Sequence, residues 1–206
     1  QLRYIPLAAL YDGKQWLIER YRVNNITAAS LTDFNTKPEP KMQILAAAFV
    51  KGSYQFRHEG QDFRFNGLPF AGIEVDKLAQ TVSPTTKYFD KDFNQTIIPL
   101  LASYTVVHFA THAAFVVGTP EQSFVLFGDG TVVTLQTMKN WRFKNIDLIV
   151  LSACETGLGG NYGTGIEILG LGYRLQTAGA RAVIASLWSV DDGGTQALMN
   201  AFYAAL

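Results

Sequence analysis

The stretch from residue 145 to residue 160 constrains the fold more than any other part of the chain. It reads NIDLIVLSACETGLGG, an apolar run that leads to Cys154, the only cysteine, and then to a glycine-rich turn. A short apolar run bounded by turn residues is typical of a strand that is buried on both faces. Such a strand would place the Cys154 thiol at its carboxyl end, at the start of the turn. The pattern therefore predicts that this thiol is a nucleophile.

A second apolar run ends in a histidine in the same manner. Residues 104–112 read YTVVHFATH and end at His112, 42 residues before Cys154. Strand and helix patterns alternate along the chain, which favours right-handed crossovers and a mostly parallel sheet between helical layers. Because sites in such sheets form beyond the carboxyl ends of the strands, His112 and Cys154 are expected to lie close together.

The remaining elements are assigned from periodicity and turn residues. Residues 1–23 are interpreted as two strands around Asp12-Gly13, a dipeptide that favours a tight hairpin. Residues 51–69 are interpreted as a flexible loop or a β-hairpin insertion. The other expected strands span 43–50, 85–89, 123–127, 131–134 and 181–188, and the expected helices span 71–81, 92–102, 135–143, 165–179 and 192–206.

Composition argues against binding to nucleic acid and against insertion in a membrane. Lys plus Arg equals Asp plus Glu at 17 each, so no net charge recruits nucleic acid or an anionic membrane. No apolar run approaches the roughly 18–20 residues that span a bilayer. One cysteine forms no internal disulfide, which favours a reducing compartment, and we expect a cytoplasmic protein. The chain begins at Gln1 with a strand pattern, so it is interpreted as a piece of a longer polypeptide.

The two strand ends suggest thiol chemistry. A free thiol has a pKa near ~8.5, and an imidazole or a helix N-terminus favours the thiolate. Cys154 is therefore the candidate nucleophile and His112 the candidate base. The backbone N–H groups of Cys154 and Ala113 are the candidate donors for an oxyanion. No third side chain is clearly placed, so a dyad is predicted.

Other interpretations of the same residues compete. A lone cysteine is more often an inert core residue, and His108 is expected to be a satisfied core or supporting histidine. A zinc site from Cys154, His108 and His112 is not favoured, because the histidines lie in a strand pattern without the glutamate of the helical zinc motif. The glycines after Cys154 form no complete nucleotide fingerprint, since position 162 is Tyr162. We expect no metal and no cofactor.

Together, several motifs resemble the CHAT domain, a family of caspase-like cysteine peptidases related to separase and often joined to tetratricopeptide repeats. The motifs are HFATH at 108–112, LSACETG at 151–157, GARAVIASLWSVDD at 179–192 and Phe202-Tyr203, with LRYIPLAAL at 2–10 resembling the start of such domains. The resemblance covers nearly the whole chain and is strongest from residue 104 onward.

The resemblance implies a caspase/separase-like α/β fold, a three-layer sandwich with a mostly parallel sheet flanked by helices. It implies one peptidase domain over 1–206, with an N-terminal hairpin, variable loops and helices over 1–103 and a catalytic core over 104–206. His112 would be the base and Cys154 the nucleophile of peptide-bond cleavage in a protein substrate. A regulatory partner or an upstream tetratricopeptide-type region would control it.

By the same resemblance, the segment 186–192 helps to form the pocket for the residue before the cut. Asp192, with Asp191 next, is the carboxylate expected to bind a basic residue bidentately. Trp188 and Ser152 are also assigned to substrate binding. The other interpretation of Asp192 is a cap of the last helix.

One position departs from the family pattern. The family usually has glycine after the catalytic histidine, whereas this chain has Ala113. If the backbone there requires a positive φ, alanine adds about 1 kcal/mol of strain or more. A weak or inactive caspase-like interaction module is therefore the alternative function, and a flavodoxin-like nucleotide binder is a third hypothesis.

Overall fold

The computed structural model describes residues 7–23, 30, 37, 41–116, 119–143, 145–155, 166–186 and 191–206. Within these ranges, the side chains of 120, 154, 155 and 166–170 are not described. The strands are β1 (Ile44–Ala48), β2 (Ser53–His58), β3 (Gln61–Asn66), β4 (Thr85–Phe89), β5 (Val106–Ala114), β6 (Phe124–Leu126), β7 (Val132–Thr134), β8 (Leu148–Glu155) and β9 (Ala182–Ala185). The α-helices are α1 (Leu17–Arg20), α2 (Pro69–Thr81), α3 (Leu135–Met138), α4 (Ile166–Thr177) and α5 (Asp192–Ala204).

A parallel sheet forms the middle layer. Its parallel strands lie in the order β4-β1-β5-β8-β9. Every residue of β1 and β5 is buried, as continuous apolar strands covered on both faces require. The expected mostly parallel α/β sheet is confirmed.

Helices cover the two faces of this sheet. One face packs against α3, α4 and a 3₁₀ helix at Gln95–Ser103, and Phe109 and Leu151 lie in that core. The other face packs against α2 and α5, and Ala110 and Val150 lie there. Alternate residues of each strand therefore enter different cores, and the expected three-layer sandwich is confirmed.

An aromatic hairpin closes the carboxyl end of β5. β5 is longer than β1, and its last three residues pair with the antiparallel strand β6, which continues to β7. The antiparallel hairpin β2–β3 places Phe63 and Phe65 against Phe49 and Phe124. The segment 51–69 is thus a packed β-hairpin, and it covers the end of the strand that carries His112.

The expected N-terminal hairpin over residues 1–23 is wrong for its described part. Leu7–Ala9 is a 3₁₀ turn and Leu17–Arg20 is helical, and only one antiparallel bridge, Tyr11 to Trp16, forms around Asp12-Gly13. The Glu19 carboxylate accepts the Trp16 N–H at 2.5 Å, which caps a helical turn. Local capping therefore outweighs the apolar pattern that predicted a second strand; residues 1–6 lie outside the described chain.

Two expected helices also differ from the structure. The helix expected at 92–102 is the 3₁₀ helix Gln95–Ser103, which contains Pro99, a residue without a backbone N–H donor. The helix expected at 135–143 is the short α3, after which the chain turns. The other expected strands and helices are present, with boundaries displaced by a few residues.

A polar network lies inside the core between the sheet and its helices. The His108 imidazole is fully buried, with Nδ1 3.0 Å from the Tyr203 hydroxyl and Nε2 2.7 Å from Glu74 Oε1. Burial raises the pKa of Tyr203 far above its usual range, and the Glu74 carboxylate adds to this effect, so the hydroxyl stays protonated. The network ties β5 to both α2 and α5, and His108 is a core residue.

Replacing Tyr203 with phenylalanine should destabilise the fold. Tyr203→Phe removes the partner of a buried imidazole nitrogen, and we expect a loss of about 1–3 kcal/mol in the free energy of unfolding, measured with urea. Tyr173 is the matched control because this residue is 41% exposed, so Tyr173→Phe should change the free energy of unfolding by no more than about 0.5 kcal/mol. Equal losses for the two variants would contradict the role of the hydroxyl.

Candidate active site

The two expected site strands are direct neighbours. The parallel ladder of β5 and β8 runs from Val106 opposite Leu148 to Ala113 opposite Glu155, and it sets His112 opposite Cys154. By strand alternation, positions 112 and 154 belong to the sheet face that α2 and α5 cover. The backbone thus brings the candidate base and nucleophile to the same register position at the carboxyl edge; the Cys154 side chain lies outside the described atoms.

The His112 ring is held by a main-chain carbonyl. Its Nε2 lies 2.7 Å from the Asn66 carbonyl oxygen at the end of β3. A carbonyl oxygen only accepts, so Nε2 carries the proton and the Nδ1 of the neutral ring holds the lone pair. Nδ1 is buried and has no hydrogen-bond partner among the described residues. This nitrogen is therefore the one able to accept a proton.

Aromatic rings surround the same imidazole. The Phe65 ring centroid lies 4.9 Å from that of His112, and the Phe49 ring approaches edge-on at 5.9 Å. The side chain is buried, and this burial lowers the pKa of His112, although the Asn66 carbonyl acts in the opposite direction. A neutral imidazole at neutral pH is the form that a general base requires.

Ala113 does not bear the strain that a positive φ would cause. It lies within β5, between Val125 of β6 and Glu155 of β8. Among the described residues, the non-glycine residues with positive φ are Glu59 and Asp90. The Ala113 side chain packs into the core on the opposite side of the sheet from His112. The condition under which alanine would cost stability is therefore not met.

The N–H groups of Ala113 and Cys154 point into the ladder between β5 and β8. The Leu148 N–H donates to Thr105 O across the β5–β8 ladder, whereas Phe49 N–H donates to Ala110 O on the other edge of β5. Backbone groups alternate sides along a strand, so the Ala113 N–H points toward β8 and the Cys154 N–H points toward β5. Both expected oxyanion donors are thus directed into the sheet.

The two aspartates at the start of α5 cap helices. Asp191 Oδ2 accepts the Gly194 N–H at 2.8 Å and is the N-cap of α5. Asp192 Oδ2 accepts the Phe70 N–H, in the first turn of α2, at 3.1 Å. Burial raises the pKa of Asp192; the Phe70 N–H opposes this shift, and Glu74 and Asp191 reinforce it.

The structure describes one of the two other expected substrate-binding residues. Ser152 is buried in β8 opposite Ala110. Trp188 lies outside the described residues.

Sequence reasoning missed two residues of this region. Asn66 contributes only its carbonyl, which every residue possesses, so no side-chain pattern could have identified it. Glu74 did leave a signal in the sequence, because its helical spacing from Ala71 and Leu78 places it on the buried face of the expected helix at 71–81.

Comparison with known families gives a result that agrees with the observed fold. A family model described as the CHAT domain matches residues 1–206. The chain belongs to the CHAT family. This family is related to caspase-like cysteine peptidases, and the α/β sandwich agrees with that relationship. No curated protein matches the CHAT chain.

Two features are absent from the described part of this CHAT chain. None of its described helices is both long enough and apolar enough to cross a membrane. No group of three or more His, Cys, Asp or Glu side chains suited to a metal ion occurs among the described residues.

Removing the Asp192 carboxylate should loosen α2. Asp192→Ala leaves the Phe70 N–H without its acceptor, and we expect a loss of about 1 kcal/mol in the free energy of unfolding. Asp192→Asn keeps an acceptor oxygen and removes a charge that burial disfavours, so it should lose less. The control is Asp76→Ala, which among the described contacts breaks an exposed ion pair with Lys87 and should cost at most about 0.5 kcal/mol. If Asp192→Ala loses no more unfolding free energy than this control, Asp192 does not act as a cap for α2.

His112 should make stability fall in mild acid. Its pKa in the fold lies below the unfolded value of about 6.5, so the unfolded chain binds a proton first as the pH falls. Stability from the neutral ring is complete above that value and is lost below it. Urea unfolding at about pH 7.5 and about pH 5.5 should show a smaller difference in the free energy of unfolding for His112→Gln than for wild type. An unchanged difference in His112→Gln would exclude this linkage.

Proposed function

We propose that this CHAT domain is a cysteine endopeptidase that hydrolyses a peptide bond in a protein substrate through Cys154 and His112. The observation that carries the proposal is the register of β5 and β8, which sets the two residues opposite each other at the carboxyl edge of a parallel sheet. Its second support is the orientation of His112, whose Nδ1 lacks a partner among the described residues.

In the proposed reaction, His112 Nδ1 takes the thiol proton of Cys154. The thiolate then attacks the carbonyl carbon of the scissile peptide bond and forms a tetrahedral intermediate. The imidazolium returns its proton to the leaving amine, which departs and leaves a thioester on Cys154. A water molecule, deprotonated by the same nitrogen, hydrolyses the thioester and restores the thiol. The Asn66 carbonyl accepts the Nε2–H throughout and stabilises the imidazolium, as the orienting acceptor of a triad does.

The N–H groups of Ala113 and Cys154 remain the proposed oxyanion donors, with one added requirement. Both point into the β5–β8 ladder, so the last pairs of this ladder have to separate before either amide reaches a substrate oxygen. Both residues lie at the end of the ladder, where strand pairs open most readily. The proposed enzyme therefore has a closed state and a substrate-bound state that differ at this strand end.

A basic residue before the cut is the proposed preference. Asp191, Asp192 and Glu74 lie near one another, and none of them contacts a Lys or Arg among the described residues. Burial raises the pKa of Asp192 most, and the negative charges of Glu74 and Asp191 raise it further; an arginine or lysine side chain would offset these charges. Ser152 and Trp188 remain proposed substrate contacts.

Activation by a partner is the proposed form of control. The His112 side chain is only 6% exposed, beneath Phe49 and Phe65. A substrate cannot approach Nδ1 unless this aromatic cover moves. A partner protein or an upstream tetratricopeptide-type region, in a reducing cytoplasmic setting, is proposed to supply that movement. The same burial is the observation that favours the alternative, an interaction module without activity.

The experiment uses the single cysteine as its own probe. The rate of Cys154 alkylation by iodoacetamide, followed from about pH 5 to about pH 10, should give a thiol pKa below the ordinary ~8.5. His112→Gln should return that value to about 8.5, whereas His58→Gln should leave it unchanged. An ordinary value that His112→Gln does not alter would favour the interaction module.

Cleavage is then measured with a fluorogenic peptide library that varies the residue before the cut. Wild type should prefer arginine or lysine, Cys154→Ala should abolish cleavage, and His112→Gln should lower kcat/KM at least about a hundredfold. Cleavage that survives Cys154→Ala would refute the proposed mechanism. A preference for basic residues that survives Asp192→Asn would refute the pocket but leave the dyad standing.

A further inference from the structure

The orientation of His112 depends on one peptide unit. The carbonyl of Asn66 accepts the Nε2–H of His112, and the N–H of Gly67, in the same peptide unit, donates to Gly52 O at 2.9 Å. A peptide bond is planar and normally trans, so its C=O and N–H point in opposite directions. Holding the N–H on Gly52 therefore aims the carbonyl at the imidazole.

The turn that receives this peptide follows directly after β1. Leu68 N–H donates to Phe49 O at 2.9 Å, so residues on both sides of the turn are bonded to the end of β3. The two backbones approach so closely that a Cβ at Gly67 would overlap Val50 O and Lys51 Cα. Glycine is thus required at position 67 because a side chain would not fit between the two backbones. Its φ is not the reason, since Gly67 is not among the glycines with positive φ.

A carboxylate from another strand fixes the same turn. Asp90 follows β4, and its Oδ1 accepts the Val50 N–H at 2.7 Å and the Lys51 N–H at 2.8 Å. Asp90 has a φ of 48°, a left-handed conformation that aspartate tolerates better than most residues but that still costs energy. The strained backbone directs the carboxylate at both amides.

We propose that Asp90 and Gly67 are positioning residues for His112. Asp90 holds the turn at Val50–Lys51, the turn holds the Asn66–Gly67 peptide, and this peptide keeps the His112 proton on Nε2 and the lone pair on Nδ1. The described hydrogen bonds of both residues are with backbone groups and not with the His112 ring. The importance of this positioning for catalysis rests on the proposed peptidase function. The position of the proton on His112 can be measured without any substrate.

The first readout is the tautomer of His112, measured by ¹⁵N NMR of the imidazole at a pH where the ring is neutral. The chain has three histidines, so His58→Gln and His108→Gln assign the signals. Wild type should show a single Nε2–H tautomer. Asp90→Ala should give a mixture of the two tautomers, and Asp90→Asn, which keeps an acceptor oxygen and tolerates the left-handed backbone, should restore the single form.

Two further variants keep the test decisive. Asp90→Gly removes the carboxylate and accepts the positive φ that would strain an alanine, so it is expected to fold. It should give the same mixture of tautomers as Asp90→Ala. Asp129→Ala is the matched control, because Asp129 is also a turn carboxylate but, among the described residues, accepts only from Thr131, through the N–H and the hydroxyl. It should leave the tautomer as in wild type.

The second readout is alkylation of Cys154 by iodoacetamide at about pH 7. Asp90→Gly should slow alkylation about tenfold. A well-oriented general base accelerates a reaction by a factor of about 10²–10⁴, and this variant keeps the base but alters its orientation. A wild-type His112 with the proton on Nδ1, or an Asp90→Gly variant with an unchanged tautomer, would overturn the inference. A tautomer shift in a protein that cleaves no peptide would instead support the positioning and count against the peptidase function.

Discussion

The parallel pairing of β5 and β8 is the constraint on which both the core and the candidate site depend. Both strands lie inside the sheet, and alternate residues of each enter different cores. A slip by one residue would exchange the two faces and bury His112 among the helices of the other side. The hydrophobic energy that fixes the register for packing therefore also sets His112 opposite Cys154.

Main-chain groups, not side chains, orient the candidate base. The Asn66 carbonyl does not ionise, so it accepts the Nε2–H of His112 at any pH at which the fold persists. A carboxylate in this place would raise the pKa of the imidazole far more strongly, whereas here burial prevails and lowers it. The ring is thus kept neutral and in one tautomer by the hairpin that also excludes water from it.

The helices on the histidine face are fastened to the sheet by polar contacts inside or beside the core. Glu74 and Tyr203 meet at His108, and Asp192 of α5 accepts the first-turn N–H of Phe70 in α2. These contacts hold α2 and α5 together over β5, which gives the two helices one position relative to the strand. The same arrangement gathers carboxylates near the start of α5, so one feature explains both the helix packing and the proposed affinity for a basic side chain.

The sequence by itself determined the buried strands, their order of alternation with helices, and the family. Continuous apolar runs such as 104–112 and 146–154 can be covered only by packing both faces, and a lone cysteine and a histidine at two such ends already suggest a thiol site. Tertiary structure alone decided the rest. The short helix at Leu17–Arg20 arises from a cap, and the Asn66 carbonyl leaves no side-chain signal. The role of Asp90 depends on a turn 40 residues away, because contacts between distant backbones have no periodicity in the sequence.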